Sequence, residues 1–135
     1  MIDNHLRTSS KIKYDDITKE IPTQGRGIYA AWLKEDNKHA CVYIGKASNL
    51  HKRIKNHYSG QRGSDQFCLY IFDSYVKITI DGIGAHLSKE MNRLTREWSR
   101  ENITFSYIEF TDDDIDESEE ERYFRRSWKP ILNPL

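Results

Sequence analysis

The sequence predicts an α+β fold, in which helices flank a small antiparallel β-sheet. Two short segments rich in aromatic and branched residues, 27–33 and 40–45, are joined by a short polar connection, which favours a β-hairpin. Three other segments repeat apolar residues at helical spacing. One more strand-like segment, 103–110, precedes the last of these helices. Together these patterns predict a hairpin and a further strand packed against helices, an α/β sandwich.

The first part of the chain predicts a polar segment, the hairpin and then a helix. Residues 1–24 are polar and weakly patterned, so we expect an arm or a loosely packed preface to the domain. The polar segment 35–39 is the expected turn of the hairpin. A helix follows, with Ser48 as its expected N-cap and with Leu50 and Ile54 one turn apart on its buried face.

The middle of the chain holds two segments with the composition of strands. Residues 67–72 (FCLYIF) and 75–80 (YVKITI) predict a strand pair, which would form an insertion at about 64–82. A second helix is predicted from Gly84, with an inward face at helical spacing. The residues of that face are Leu87, Met91, Leu94 and Trp98.

The C-terminal region predicts a strand followed by a helix. After strand 103–110, the acidic segment 112–121 leads into a helix that runs to Trp128, and Pro130 ends it. The domain organisation is therefore the arm at 1–24 and one domain at 25–135.

Composition restricts the class of protein. With 135 residues, 37% apolar and 31% charged, the chain suits one soluble globular domain. It has no apolar run near the ~20 residues of a membrane helix, and its first residues lack the apolar core of a signal peptide, so we expect a cytoplasmic protein without a membrane partner. Cys41 and Cys68 lack the paired spacing of a zinc or redox site and are expected to be small buried hydrophobes.

Charge is balanced overall but unevenly distributed. The 21 basic residues equal the 21 acidic ones, so net charge does not indicate a polyanionic partner. However, segment 46–62 contains no acid and segment 112–121 contains no base. This separation is compatible with one basic face for nucleic acid, and equally with ordinary solvated helix faces.

Two tripeptides and two later residues carry a resemblance. The sequence reads GIY at 27–29 and YIG at 43–45, and ten and fourteen residues after Tyr43 come Arg53 and His57. This pattern resembles the signature of GIY-YIG nucleases. The closing segment EERYFRRSWKPILN also resembles that of the family, in which a glutamate precedes an asparagine by twelve residues with a proline between them; the matching residues are Glu121, Pro130 and Asn133.

The resemblance covers residues 27–133 and implies a metal-dependent endonuclease that hydrolyses phosphodiester bonds in DNA, with Mg²⁺ or Mn²⁺ as cofactor. Family members often carry an extra domain that selects the target, and 135 residues leave no room for one, so a homodimer or a separate targeting partner is an expected alternative. It implies a catalytic set, listed here by residue: Tyr29, Tyr43, Arg53, His57 and Glu121.

Arg53 and His57 have the residue types that phosphodiester chemistry needs. Their i, i+4 spacing places them on one face of the predicted helix, at the edge of its buried side. The guanidinium of Arg53 is a planar fork that suits phosphate oxygens. For His57, the roles of general base, phosphate contact and C-terminal helix charge all stay open.

Glu121 is the candidate metal ligand. It lies at i, i+3, i+7 with Phe124 and Trp128, the face that should turn inward, and a carboxylate there is explained by a hard divalent cation. The alternative is structural, because Ser118 and Glu121 form a capping-box pattern. Glu120, its neighbour, is a second possible ligand.

The two signature tyrosines are candidates for water activation. A tyrosine with a pKa near ~10 is a poor base unless cations favour the phenolate. The resemblance implies Tyr29 as general base, and Tyr43 as its partner or a phosphate contact. Gly27 and Gly45 are expected to permit close backbone packing near the site. Asn133 is expected to fix local geometry through side-chain hydrogen bonds.

Nucleic-acid contacts are expected from the acid-free segment. The candidates are Lys46, Lys52, Lys55 and Arg62. The strand pair at 67–80 would form a second wall of the same groove, or an extra sheet edge without function. Two other hypotheses compete with the enzyme: a non-catalytic nucleic-acid-binding module that keeps the fold, and a protein-interaction domain suggested by the neutral charge and the acidic segment 112–121.

Overall fold

The computed structural model describes residues 2–35, 38–80 and 88–134 of the chain. Three strands and six α-helices, joined by short 3₁₀ and π-helical turns, make up these residues. The strands are β1 (Gly27–Glu35), β2 (Lys38–Ala47) and β3 (Ile103–Glu109). The helices are α1 (Ile2–Thr8), α2 (Ile17–Glu20), α3 (Leu50–His57), α4 (Gln66–Ile71), α5 (Ser88–Asn102) and α6 (Glu117–Trp128).

The strands form one antiparallel sheet in the order β2-β1-β3. β1 is central, and its Tyr29 lies opposite Gly45 on one side and Tyr107 on the other. The predicted α+β fold with a small antiparallel sheet is thus confirmed. The hairpin strands are longer than predicted and take in most of the expected turn, of which 36–37 lie outside the described residues.

Helices cover both faces of the sheet. One face carries a large core in which Tyr29, Leu50, Ile54 and Phe105 are buried against α3 and α4. The other face carries a smaller core around Ile28, Ile44 and Phe124, which packs under α1 and α6. Alternate residues of β1 therefore serve opposite cores, and this alternation places Tyr29 on the α3 side.

The prediction of a loosely packed arm at 1–24 is wrong. Leu6, Ile12, Ile17 and Ile21 are all buried in the two cores. The backbone of Ile12 also pairs with Phe105 on the outer edge of β3, through hydrogen bonds of 2.6 and 2.9 Å. These apolar residues stand singly between polar ones and form no helical or strand repeat in the sequence. Together, however, they hold this segment to the domain.

The prediction of two strands at 67–80 is also wrong. The segment is helical throughout: α4 continues into a π-helical turn at Phe72–Val76 and a 3₁₀ turn at Lys77–Thr79. The side chain of Asp65 caps α4 by accepting a hydrogen bond from the N–H of Cys68. A short continuous apolar run does not distinguish a strand from a buried helix, and the cap decides in favour of the helix.

The remaining helices follow the predictions closely. The N-cap of α3 is Asn49, one residue after the predicted Ser48, and accepts from the N–H of Lys52. The expected start of α5 at Gly84, with Leu87, lies outside the described residues. Its other predicted face residues, Met91, Leu94 and Trp98, pack against the larger core.

The two cysteines were expected to be small buried hydrophobes, and Cys68 is buried whereas Cys41 is only half-buried. Within the described residues, neither of them forms a disulfide. Among the described helices, none has the length and apolarity that crossing a membrane requires.

Candidate active site

A chain of hydrogen bonds runs from the central strand to the start of α4. The hydroxyl of Tyr29 lies 2.6 Å from Nε2 of His57, and Nδ1 of His57 lies 2.8 and 3.0 Å from the two carboxylate oxygens of Asp65. Tyr29 and His57 are almost wholly buried, at 1% and 3% exposure. Three residues from separate elements are therefore held in line, with one imidazole between a phenol and a carboxylate.

Local structure explains why these groups meet. His57 is the last residue of α3, and Asp65 is the N-cap of α4, so the turn between the two helices folds the carboxylate back onto the imidazole. Tyr29 faces Gly45 across the hairpin, where a Cβ would overlap the Tyr29 hydroxyl. Gly27 is equally constrained, because a Cβ there would overlap the carbonyl of Ile108. The two glycines thus make room for the phenol and for close strand pairing.

The protonation states in this chain follow from burial and hydrogen bonding. Burial lowers the pKa of His57, and the hydrogen bond that its Nδ1 donates to Asp65 only partly opposes the shift, so the imidazole is neutral at pH 7. Burial alone raises the pKa of Asp65, but the hydrogen bonds from His57 and Cys68 outweigh it and the net shift is downward. An ionised Asp65 can only accept, so Nδ1 of His57 carries the proton and Nε2 accepts from Tyr29.

The two signature tyrosines have different surroundings. Burial raises the pKa of Tyr29 well above its ordinary value, with Tyr43 as the next cause and Arg53 acting in the opposite direction. Burial also raises the pKa of Tyr43, to about 12, and the carboxylate of Glu121 adds to the shift. Tyr43 is half-buried and packs its ring on Phe67 and Tyr70. Tyr29 is thus the buried, hydrogen-bonded phenol, and Tyr43 the one at the surface.

Above this chain of hydrogen bonds lies a polar cleft of about 550 Å³. Tyr43, His57 and Phe67 form part of its lining, and Lys52 and Arg53 supply two cations. Arg53 is exposed, unlike the edge-buried position expected from sequence, and its charge lowers the pKa of both Tyr29 and His57. The other lining residues are small or polar: Ala47, Ser48, Asn49, Asn56, Ser64, Asp65 and Gln66.

Glu121 lies on α6, at the margin of this arrangement. Its side chain is 16% exposed, and Oε1 lies 3.5 Å from Nη1 of Arg125. The charge of Glu121 raises the pKa of both Tyr29 and Tyr43, so the carboxylate is electrostatically coupled to both phenols. The capping-box alternative is excluded, because the N-cap of α6 is Asp116 and Ser118 is already inside the helix.

The cations that were predicted to bind nucleic acid are not all at the cleft. Lys46 donates to the hydroxyl of Ser118 at the start of α6. Lys55 is exposed on α3 outside the cleft lining. Arg62 is tied to α5 through hydrogen bonds to Asn92 and Ser88 and lies over the ring of Phe72, so it has a structural environment of its own.

Asn133 joins the C-terminal segment to β2. Its amide oxygen accepts from the N–H of Ile44 at 2.8 Å, and its amide nitrogen donates to the carbonyl of the same residue at 2.9 Å. Ile44 is the middle residue of the YIG tripeptide. Asn133 therefore holds the backbone between Tyr43 and Gly45 in place.

Asp65 is the functional candidate that the sequence did not reveal. Its one signal was its position as a polar residue before an apolar run, which is typical of an N-cap, but that run was interpreted as a strand.

A larger groove of about 690 Å³ lies against β3, where Glu20 and Glu109 are among the lining residues. Carboxylates without a nearby lysine or arginine in that lining make it unsuitable for phosphate.

The comparisons with known proteins agree with this geometry. The family model of the GIY-YIG catalytic domain matches residues 18–134, a range that includes the three described strands and all the residues that line the cleft. No curated protein sequence matches the chain significantly. The signature residues of the tripeptides, Arg53, His57 and Glu121 all fall within the matched range. The chain belongs to the GIY-YIG catalytic domain family.

Proposed function

We propose that this protein is a divalent-metal-dependent endonuclease that hydrolyses phosphodiester bonds in DNA. Membership of the family supports a nuclease-type function in general. The observation that carries the finer proposal is the buried chain Tyr29–His57–Asp65 beneath a cleft that presents Arg53. A purely binding module would have no need for a neutral imidazole held between a phenol and a carboxylate.

In the proposed mechanism, Tyr29 is the general base and His57 accepts its proton. Water approaches through the floor of the cleft, beside Tyr43. The phenol of Tyr29 takes a proton from this water while it passes its own proton to Nε2 of His57. The water oxygen bonds to phosphorus as the bond to the leaving ester oxygen breaks, and that oxygen takes a proton from solvent. Asp65 stabilises the imidazolium that forms. Arg53 binds the phosphate and meets the charge that develops on it.

The side chains near the cleft fit one kind of metal site. Among the described residues, no three His, Cys, Asp or Glu side chains converge on a point, so a closed protein cage for a metal is absent from that part of the chain. A single accessible carboxylate, Glu121, suits Mg²⁺ or Mn²⁺, which retain water and substrate oxygens as their other ligands. Bound there, the cation would supply Lewis-acid stabilisation of the phosphate.

Cleavage of supercoiled plasmid tests the function directly. We expect nicked or linear product with Mg²⁺ or Mn²⁺ and none with excess EDTA, because the cation would neutralise charge that grows on the phosphate. Gel electrophoresis of the products gives the rate, and sequencing of the ends gives the specificity. Retardation of the plasmid without any cutting, in either metal, would instead establish a non-catalytic nucleic-acid-binding module.

Asp65 offers a test of the proton path by pH. His57 must be neutral to accept a proton, so activity is full above its pKa and lost as pH falls through it; that pKa is already lowered by burial. Asp65→Asn removes the charge that opposes this shift, so the acidic limb of kcat should move to lower pH. The rate should also fall by about 10-fold to 100-fold, as is usual when an orienting partner is lost.

The pH profile separates this positioning role from the capping role of Asp65. Asn is as good an N-cap as Asp, so the melting temperature of Asp65→Asn should change little. Asp112→Asn is the matched control: that carboxylate accepts from the N–H of Asp114 on the surface, and its loss should leave the profile as it is. If Asp65→Asn kept the wild-type rate and acidic limb, Asp65 would be a cap only.

A further inference from the structure

A second basic surface lies at the C-terminal end of α6. Four cations line a groove of about 530 Å³ between this helix and the C-terminal segment: Arg122, Arg125, Arg126 and Lys129. The other lining residues, Pro130, Asn133 and Pro134, carry no charge. This groove is separate from the acid-free segment 46–62 and from residues 67–80, where the sequence predicts the nucleic-acid contacts.

The groove is built on fixed backbone. Lys129 ends α6 in the left-handed conformation, and its N–H donates to the carbonyl of Arg125. The segment beyond it is held to β2, where Leu132 donates to the carbonyl of Val42 and Asn133 binds Ile44. One wall is therefore a helix and the other a segment anchored to the sheet, so the cations need little reorganisation to bind a ligand.

The spacing of the cations is unfavourable in the free protein. Arg122 and Arg126, and likewise Arg125 and Lys129, are i, i+4 pairs of like charge, which destabilise a helix. The helix dipole compensates cations in the last turn, but Arg122 lies more than one turn before the end. Glu121, which lies 3.5 Å from Arg125, offsets part of this repulsion. A polyanion along the groove would offset the remainder.

The groove adjoins the catalytic site. Arg125 is common to both, because its Nη1 lies 3.5 Å from Glu121 while its Nη2 donates to the carbonyl of Pro134 at 2.8 Å. Arg125 and Glu121 also shift the pKa of Tyr43 in opposite directions, so both are close to that phenol. A nucleic-acid strand that places one phosphate at Glu121 can therefore continue directly into the groove.

We propose that this groove binds the sugar–phosphate backbone of duplex DNA on one side of the phosphate that is cut. Arg122, Arg126 and Lys129, all exposed, contact the phosphates, and Arg125 positions the strand next to Glu121. The identity of the polymer rests on the proposed nuclease function, whereas the binding itself does not require catalysis. This surface explains how a protein with no net charge holds a polyanion: its cations are concentrated along the path of the backbone.

The test is the salt dependence of binding by the double variant Arg122→Ala/Arg126→Ala. Fluorescence anisotropy with a labelled DNA duplex, in EDTA so that no metal-dependent cleavage occurs, gives Kd at a series of salt concentrations. The slope of log Kd against log salt should fall by about two units, since each lost phosphate contact removes about 0.9. Because both side chains are exposed, the variant should fold normally, and circular dichroism checks this. Arg122→Gln/Arg126→Gln is the alternative if the alanines disturb the helix.

The matched control is Lys34→Ala/Lys89→Ala. Lys34 lies at the far end of β1 from Tyr29 and Lys89 in the first turn of α5, and both are exposed, so the same loss of charge should leave the slope unchanged. An unchanged slope in the arginine variant would overturn the proposal that the groove binds DNA. Tighter binding of an RNA duplex than of a DNA duplex would overturn it too. The two proposals fail separately: wild-type protein that binds through the groove without cutting would overturn only the nuclease function.

Discussion

Glu121→Gln is expected to abolish metal-dependent cleavage while leaving the fold intact. Glutamine has the shape of glutamate, but its neutral amide is a poor ligand for a hard cation, so the rate should fall by about 1000-fold or more. Stability should hardly change, since the partly exposed pair with Arg125 is worth roughly 0–1 kcal/mol. Single-turnover cleavage in Mg²⁺ measures the rate, and thermal unfolding measures the stability.

The control for this substitution lies on the same helix. Glu119 is exposed and faces a depression away from the catalytic cleft, so Glu119→Gln should cut at close to the wild-type rate. Calorimetric titration with Mn²⁺ adds a second readout, because only Glu121→Gln should lose the binding heat. A Glu121→Gln protein that cuts as fast as the wild type would show that the cation is held elsewhere, or is not needed.

Tyr29→Phe is the second substitution with a large expected effect. It removes one oxygen from the buried chain, so Nε2 of His57 loses its donor and, in the proposed mechanism, the attacking water loses its base. A loss of about 100-fold to 10,000-fold in kcat is typical when a general base is removed. The measurement is the single-turnover rate at saturating protein, where weaker binding cannot imitate the effect.

Tyr43→Phe is the informative comparison, because it deletes the same atom from the neighbouring strand. Tyr43 is half-buried at the cleft surface, and its ring lies 6.4 Å from that of Tyr29. If Tyr43 contacts phosphate, its loss should raise KM more than it lowers kcat. A larger fall in kcat for Tyr43→Phe than for Tyr29→Phe would reverse the roles of the two tyrosines.

The sequence predicted the sheet and most of the helices because these depend on patterns within short segments. The β1–β2 hairpin, strand β3, α3 and α6 each have an apolar repeat and a recognisable beginning or end. The strand prediction for 67–80 was wrong because the aromatic and branched residues of this segment suit a strand, whereas in the fold they are buried as part of a helix. The composition favoured a strand, but the N-cap at Asp65 and the packing against the core stabilise a helix.

The candidate site could be predicted residue by residue but not as an arrangement. Family spacing pointed to Tyr29, His57 and Glu121, yet only the fold shows that Tyr29 and His57 are hydrogen-bonded, 28 residues apart in sequence. Asp65 has no neighbour in sequence that marks it as functional, since its partner comes from the preceding helix. The groove on α6 was missed for a similar reason: its second wall is the C-terminal segment, whose path depends on pairing with β2.

The way both margins of the sheet are covered limits how copies of this chain can associate. On the outer side of β3 the backbone of Ile12 pairs with Phe105, and on the outer side of β2 residues 132 and 133 bind Val42 and Ile44. Bare strand margins are templates for intermolecular pairing and for aggregation. At Phe105, Val42 and Ile44, a second molecule cannot add a strand without first displacing the segment that is already bound there. Removal of residues 132 and 133 would expose the unpaired backbone of Val42 and Ile44, beside the YIG tripeptide, to pairing with a strand of another molecule.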